Sequence, residues 1–134
     1  MFSGATSFNQ PLDKWVVSSV EDMSRMFYGA ASFNQPLDKW DVRSVKRMMS
    51  MFKHAASFNQ PLDKWDVCNV KTMKWMFVNA VSFNQPLERW AVAEGTQTEG
   101  MFDGATAFSF KESAYFVGLV LPCPLRRKQA LHHA

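Results

Sequence analysis

Apolar and polar positions recur along the chain with a constant period of 25 residues. Met-Phe pairs begin at residues 1, 26, 51, 76 and 101, and the hexapeptide Ser-Phe-Asn-Gln-Pro-Leu occupies residues 7–12, 32–37, 57–62 and 82–87. A strict period of this length indicates a solenoid, in which each unit forms one coil and buries its apolar face against the next. We therefore predict a solenoid of four 25-residue repeats plus a partial fifth over residues 1–110, followed by a non-repeat tail at residues 111–134.

Each unit is predicted to contain one helix. The apolar residues of the second unit follow the i, i+3, i+4, i+7 spacing of one helix face: Val45, Met48, Met49 and Phe52. Ser19 and Asn69 stand where helix N-caps are expected, and Gly29 stands where the first helix would end. The pattern therefore predicts a helix of about 9–10 residues in each coil, with ends uncertain by a few residues.

A very short strand is expected on the opposite side of each coil. Pro36 disfavours a helix but is tolerated at the first position of a strand, which we centre on Leu37. Stacked copies of this strand would form a narrow parallel sheet. The predicted fold class is therefore α/β, a repeat solenoid with one short parallel strand and one helix in each coil.

Two columns of identical side chains have competing interpretations. The tryptophan column could provide stacking platforms for sugars or bases, but its position between the strand leucine and a valine favours the core: Trp15, Trp40, Trp65 and Trp90. The asparagine column could read a ligand, but a structural hydrogen-bond ladder between coils is favoured: Asn9, Asn34, Asn59 and Asn84.

A column of acidic residues runs beside a column of basic residues, and together they form what we call the charged strip: Asp13, Lys14, Asp38, Lys39, Asp63, Lys64, Glu88 and Arg89. One interpretation is a solvated edge, because exposed ion pairs contribute less than ~1 kcal/mol each. The other is a partner-binding surface that carries both signs of charge. The strip is the candidate site for a partner.

Charge and composition add little about chemistry. The chain carries 15 basic and 12 acidic residues, and the net charge of +3 arises from the tail, because residues 1–110 are balanced. We find no Ser/His/Asp arrangement, phosphate-binding loop or zinc-ligand spacing, so we expect a protein that is not an enzyme and has no cofactor, metal or small-molecule substrate. Cys68 and Cys123 are expected to be free thiols, with a single disulfide as the alternative.

The repeat resembles a known family. The string MFYGAASFNQPLDKWDVRSVKRM at residues 26–48 is similar to the 25/26-residue repeats of BspA-like leucine-rich repeat surface proteins of mycoplasmas, other bacteria and some unicellular eukaryotes. Much of that family is classed as a domain of unknown function. The resemblance implies a leucine-rich-repeat-like solenoid, a protein or glycan ligand, and a cell-surface or secreted location, although the chain shows no signal peptide, anchor or membrane-spanning segment.

Three functional hypotheses follow. The first is a non-enzymatic protein- or glycan-binding repeat module from a larger adhesion-type surface protein. The second is an orphan or mispredicted fragment without independent activity, because the chain starts inside a unit and the fourth unit diverges at Gly95 and Thr98. The third and weakest is nucleic-acid contact through the basic tail residues Arg126, Arg127 and Lys128, beyond a short helix expected at residues 112–121.

Overall fold

The computed structural model describes residues 1–109, and these residues form neither an α-helix nor a β-strand. Three isolated parallel bridges join Asp22 to Arg47, Arg47 to Thr72, and Thr72 to Gln97. The expectation of an α/β solenoid is therefore wrong. No helix occupies the segment around Met48, and no strand is centred on Leu37.

Overlapping tight turns replace the predicted helix. The N–H of Met26 donates to the carbonyl of Met23 at 3.2 Å, and the N–H of Tyr28 donates to the carbonyl of Arg25 at 3.2 Å. A third turn starts at Phe27. The third residue of a turn has a positive φ of 60° at Arg25 and 70° at Gly29, as a type II turn requires. The same two positions of later units are also left-handed, at Ser50, His54, Trp75, Asn79, Gly100 and Gly104.

Backbone amides that are not used inside these turns bind the following unit. Met23, Arg25 and Phe27 each donate an N–H to a carbonyl 24 residues later, and all three distances are 2.9 Å. The N–H of Ser24 donates to Asp22 Oδ1 at 2.9 Å. Amides therefore alternate between the turn and the next coil, which satisfies the backbone donors of this segment without a helix or an extended strand.

The spacing of the buried residues explains why a helix was predicted. Val42, Val45, Met48 and Met51 are all buried, so the apolar positions recur every third residue. Met49, which would lie on the apolar face of a helix, is only partly buried. The i, i+3 spacing is common to a helix and to successive turns, but the positive φ of 55° at Ser50 cannot continue a right-handed helix.

Stacked phenylalanine rings form the centre of the molecule. Phe52 lies between Phe27 and Phe77, with ring centroids 5.5 Å away on both sides. A second column packs against the first, and within the third unit Phe52 and Phe58 are 4.3 Å apart. Burial of each ring contributes about 1.5–3 kcal/mol, and each aromatic pair adds about 0.5–1.5 kcal/mol. The repeated Phe residues are therefore core positions that hold the coils in register.

The expectations for the tryptophan column, the cysteines and the tail have different outcomes. The core interpretation of the tryptophan column is confirmed for Trp40, Trp65 and Trp90, which are buried, whereas Trp15 in the first unit is 42% exposed. Cys68 takes part in a disulfide bond, so the expectation of two free thiols is wrong. The predicted tail at residues 111–134, with its helix, its basic residues and Cys123, lies outside the described residues.

Candidate functional site

The charged strip is built on one tight turn in each unit. In the turn 37–40 the N–H of Trp40 donates to the carbonyl of Leu37 at 3.1 Å. The same carbonyl accepts the indole N–H of Trp65 in the following unit at 2.9 Å. Equivalent indole bonds reach Leu12 at 2.9 Å and Leu62 at 2.7 Å. Each leucine carbonyl therefore ties its own turn to the next coil through a buried tryptophan.

The charged residues occupy the two central positions of these turns. Asp38 and Lys39 lie between Leu37 and Trp40, both of which are buried. The structure thus brings the eight predicted strip residues into two adjacent columns on one edge. The basic side chains and Glu88 are exposed, and the three aspartates are partly buried, at Asp13, Asp38 and Asp63. Their backbone is fixed on both sides by core residues, while the charged groups face solvent.

Electrostatic repulsion between like charges of successive units is weak along each column. The stacked rings of neighbouring units are 5.5 to 6.1 Å apart, which sets the scale of the distance between coils. Two like charges about 6 Å apart in water repel by about 0.7 kcal/mol. Within residues 1–109, Lys14, Lys39 and Lys64 make no ion pair with a carboxylate, and the three pairs of that region join Arg43 to Asp41, Lys46 to Glu21 and Lys74 to Glu99. The three lysines are therefore available to a partner.

The side-chain oxygens of the asparagine column beside the strip accept hydrogen bonds from the following unit. Asn34 Oδ1 accepts the backbone N–H of Asn59 at 2.9 Å and the side-chain amide of Gln60 at 3.1 Å. The same pair of bonds recurs one unit earlier and one unit later. The structural ladder is confirmed, although the main bond runs from a backbone donor to a side-chain acceptor and not between two side-chain amides. The ladder holds the backbone a few residues before each charged turn.

Two aspartates that follow the tryptophans have a local structural role. Asp41 Oδ1 accepts the N–H of Arg43 at 3.1 Å, and the Arg43 guanidinium lies 2.9 Å from Asp41 Oδ2. Hydrogen bonds from the Arg43 side chain and backbone lower the pKa of Asp41. Asp66 Oδ1 accepts the N–H of Cys68 at 3.0 Å. Within residues 1–109, no cluster of three or more His, Cys, Asp or Glu side chains is placed to hold a metal ion.

Sequence reasoning missed a notch beside the fourth unit. It has a volume of about 380 Å³ and is lined by residues of three successive units, among them Arg47, Lys71 and Gly95. The signal in the sequence was the glycine that replaces the valine of the other units at position 95, which we interpreted only as divergence of the repeat.

Comparison with known proteins identifies the family but no activity. The part of the chain that the structure describes contains no helix long and apolar enough to span a bilayer. No curated protein and no solved structure gives a significant match. The family described as Mycoplasma protein of unknown function, DUF285, matches residues 1–115. Since this match includes the whole repeat region and most of the chain, the protein belongs to that family.

Proposed function

We propose that the protein is a non-enzymatic binding module that docks a protein partner along the charged strip. The observation that carries this proposal is the placement of one Asp-Lys or Glu-Arg pair on each of four turns, every one of them closed by a backbone hydrogen bond of 3.0 to 3.1 Å. The binding residues are thus displayed at regular intervals on a backbone that is already ordered.

The backbone of these turns is ordered before a partner binds, and this favours affinity. A partner that meets a preformed turn does not have to immobilise the backbone, and this lowers the entropic cost of association. The strip also offers several equivalent contacts in a row, so that weak individual contacts add up along an extended partner.

The two signs of charge favour a protein as the partner. A surface with adjacent acidic and basic columns matches a partner whose own charges alternate, and such complementarity contributes to specificity and to the rate of association. The resemblance to BspA-like surface proteins supports adhesion at the cell surface as the setting. A glycan is the alternative ligand for the same strip.

Replacement of the four basic strip residues tests the proposal. The quadruple variant changes Lys14, Lys39, Lys64 and Arg89 to Ser, and binding is screened on protein and glycan arrays against the unchanged chain. We expect affinity for the recognised ligand to fall at least tenfold, because four contacts are lost together.

A control with the same change in charge separates the strip from general electrostatics. It replaces four basic residues outside the strip by Ser: Arg25, Lys46, Lys53 and Lys74. Binding of this control should remain within threefold of the unchanged chain. Equal losses in the two variants, or no loss in the strip variant, would show that the strip is not the docking surface.

A further inference from the structure

The notch on the fourth unit arises because one tight turn begins one residue later there than in the earlier units. In earlier units the N–H of Val45 donates to the carbonyl of Val42 at 3.0 Å, and Val70 pairs with Val67 in the same way. In the fourth unit the donor is Thr96 and the acceptor is Ala93, at 3.2 Å, so the turn begins one residue later.

Gly95 leaves this region open. It takes the third position of the shifted turn with a φ of +86°, and no atom lies within 4 Å of the point where its Cβ would stand. The Oγ1 of Thr96 donates to the carbonyl of Val70 at 2.9 Å, which fixes the shifted turn on the third unit. The notch is thus bounded by ordered backbone.

The side chains around the notch favour an anion. Arg47 and Lys71 are both exposed and both line it. The Thr72 side chain is buried, with only 7% of its surface exposed. Its Oγ1 accepts the N–H of Lys74 at 3.3 Å, so the hydroxyl proton can be donated to another acceptor. A guanidinium fork, an ammonium and a hydroxyl are the groups that bind carboxylate, sulfate or phosphate.

The two central units strengthen this positive region. Residues 42–62 and 67–87 hold six basic residues and no acidic one, although Asp63 and Asp66 lie between the two segments; the basic residues are Arg43, Lys46, Arg47, Lys53, Lys71 and Lys74. Lys46 and Lys74 pair with carboxylates of the flanking units at 3.5 and 3.6 Å. Neither Arg47 nor Lys71 forms an ion pair within 4 Å with a described residue. Arg47 also lies near enough to Asp22 to add to the Ser24 hydrogen bonds that lower the pKa of that carboxyl, so the positive charge at the notch comes from Lys71 and, in part, from Arg47.

We propose that this notch binds the carboxylate or sulfate group of an acidic glycan. Its volume of about 380 Å³ is in the range of small-ligand sites. Glu94 also lines the notch and can accept hydrogen bonds from sugar hydroxyls. With Arg47 and Lys71 it leaves one net positive charge, which suits a sugar chain with widely spaced charges better than a nucleic acid with a phosphate at every nucleotide.

The binding test uses the full 134-residue chain and four probes. They are a hyaluronan hexasaccharide, which carries carboxylates, a heparin hexasaccharide, which also carries sulfates, a neutral dextran oligosaccharide, and a single-stranded oligonucleotide. We expect one or both acidic sugars to bind and the neutral sugar not to bind. The Arg47→Gln/Lys71→Gln variant should lose at least tenfold in affinity, measured by calorimetry.

The control variant, Arg25→Gln/Lys53→Gln, makes the same change in charge outside both the notch and the charged strip, and should bind within twofold of the unchanged chain. Nuclear magnetic resonance provides a second measurement that needs no variant, and the acidic sugar should shift the amide signals of residues 70–72 and 93–97. Equal losses in the two variants, unchanged binding in the notch variant, shifts confined to other residues, or tighter binding of the oligonucleotide would each overturn the proposal.

Discussion

At the scale of single residues, the backbone depends on positions that adopt left-handed φ values. Two such positions recur in the units, four residues apart, as at Gly100 and Gly104 with φ values of 61° and 74°. Glycine adopts this conformation without strain, whereas an L residue loses about 1–2 kcal/mol. Non-glycine residues at the same positions, such as His54 and Trp75, are therefore held there by the hydrogen bonds of the turns.

Substitution of Gly104 by Ala tests this account. A Cβ at this position would overlap Asn79 Oδ1, and the Asn79 side chain also lies 3.3 Å from His54 Nδ1. Gly4 has a similar φ of +76° but no atom within 4 Å of its Cβ position. We expect Gly4→Ala to lower the free energy of unfolding by about 1 kcal/mol through strain, and Gly104→Ala by about 1 kcal/mol more through loss of the Asn79 contact. Urea denaturation measures both, and identical losses would contradict the role of Asn79.

At the scale of structural elements, the stack is held by ladders that cross from one unit to the next. The asparagine ladder is the regular one on the side of the charged strip. Asn59 Oδ1 accepts the N–H of Asn84 at 2.9 Å and the side-chain amide of Gln85 at 3.0 Å. Without this acceptor the exposed Asn84 amide and the partly buried Gln85 side-chain amide would each lose a partner.

The ladder makes a prediction for two substitutions at the same site. Asn59→Ala removes the acceptor and should lower the free energy of unfolding by about 1–2 kcal/mol, because two hydrogen bonds of about 1 kcal/mol each are lost. Asn59→Asp keeps an oxygen at the same place and should retain most of the stability at neutral pH. Thermal or urea denaturation compares them. If the Asp variant were as unstable as the Ala variant, the acceptor oxygen would not be the stabilising group.

At the scale of the whole molecule, side chains at equivalent positions are buried more deeply in the middle units than in the first one. Phe58 is fully buried between Phe33 and Phe83, at 6.0 and 6.1 Å. Phe8 is only partly buried, and it stacks on Phe33 of the next unit at 5.7 Å and on Phe2 at 4.3 Å. Stability should therefore be highest in the middle of the stack.

A pair of matched substitutions measures this difference. Phe58→Ala should cost about 3–5 kcal/mol, because it opens a cavity inside the ring column. Phe8→Ala should cost about half as much, since part of its ring already faces solvent. Urea denaturation gives the two free energies, and hydrogen exchange should show lower protection near Phe8 than near Phe58. Equal costs would mean that the first unit is as well covered as the third.

The sequence predicted the register of this molecule but not its backbone. Identical residues 25 positions apart do meet, as the Phe, Trp and Asn columns show. The helix was wrong because Val45 and Met48 have a spacing that successive turns share, and Gly29 was interpreted as the end of a helix when it is the third residue of a turn. The strip was found because its charges recur in register, whereas the notch depends on a shifted turn that no residue pattern announces.

The hydrogen bonds between units also determine the polarity of the stack. On the turn side, N–H groups such as those of Met23 and Phe27 point towards the C-terminal end. On the strip side, the Asn59 amide and the Trp65 indole point towards the N-terminal end. The two sets of bond dipoles oppose each other, unlike the aligned peptides of an α-helix. The two sets therefore offset each other in part as the stack lengthens, and side chains of the lateral surfaces contribute more to the field that a charged ligand meets than they would beside aligned peptides.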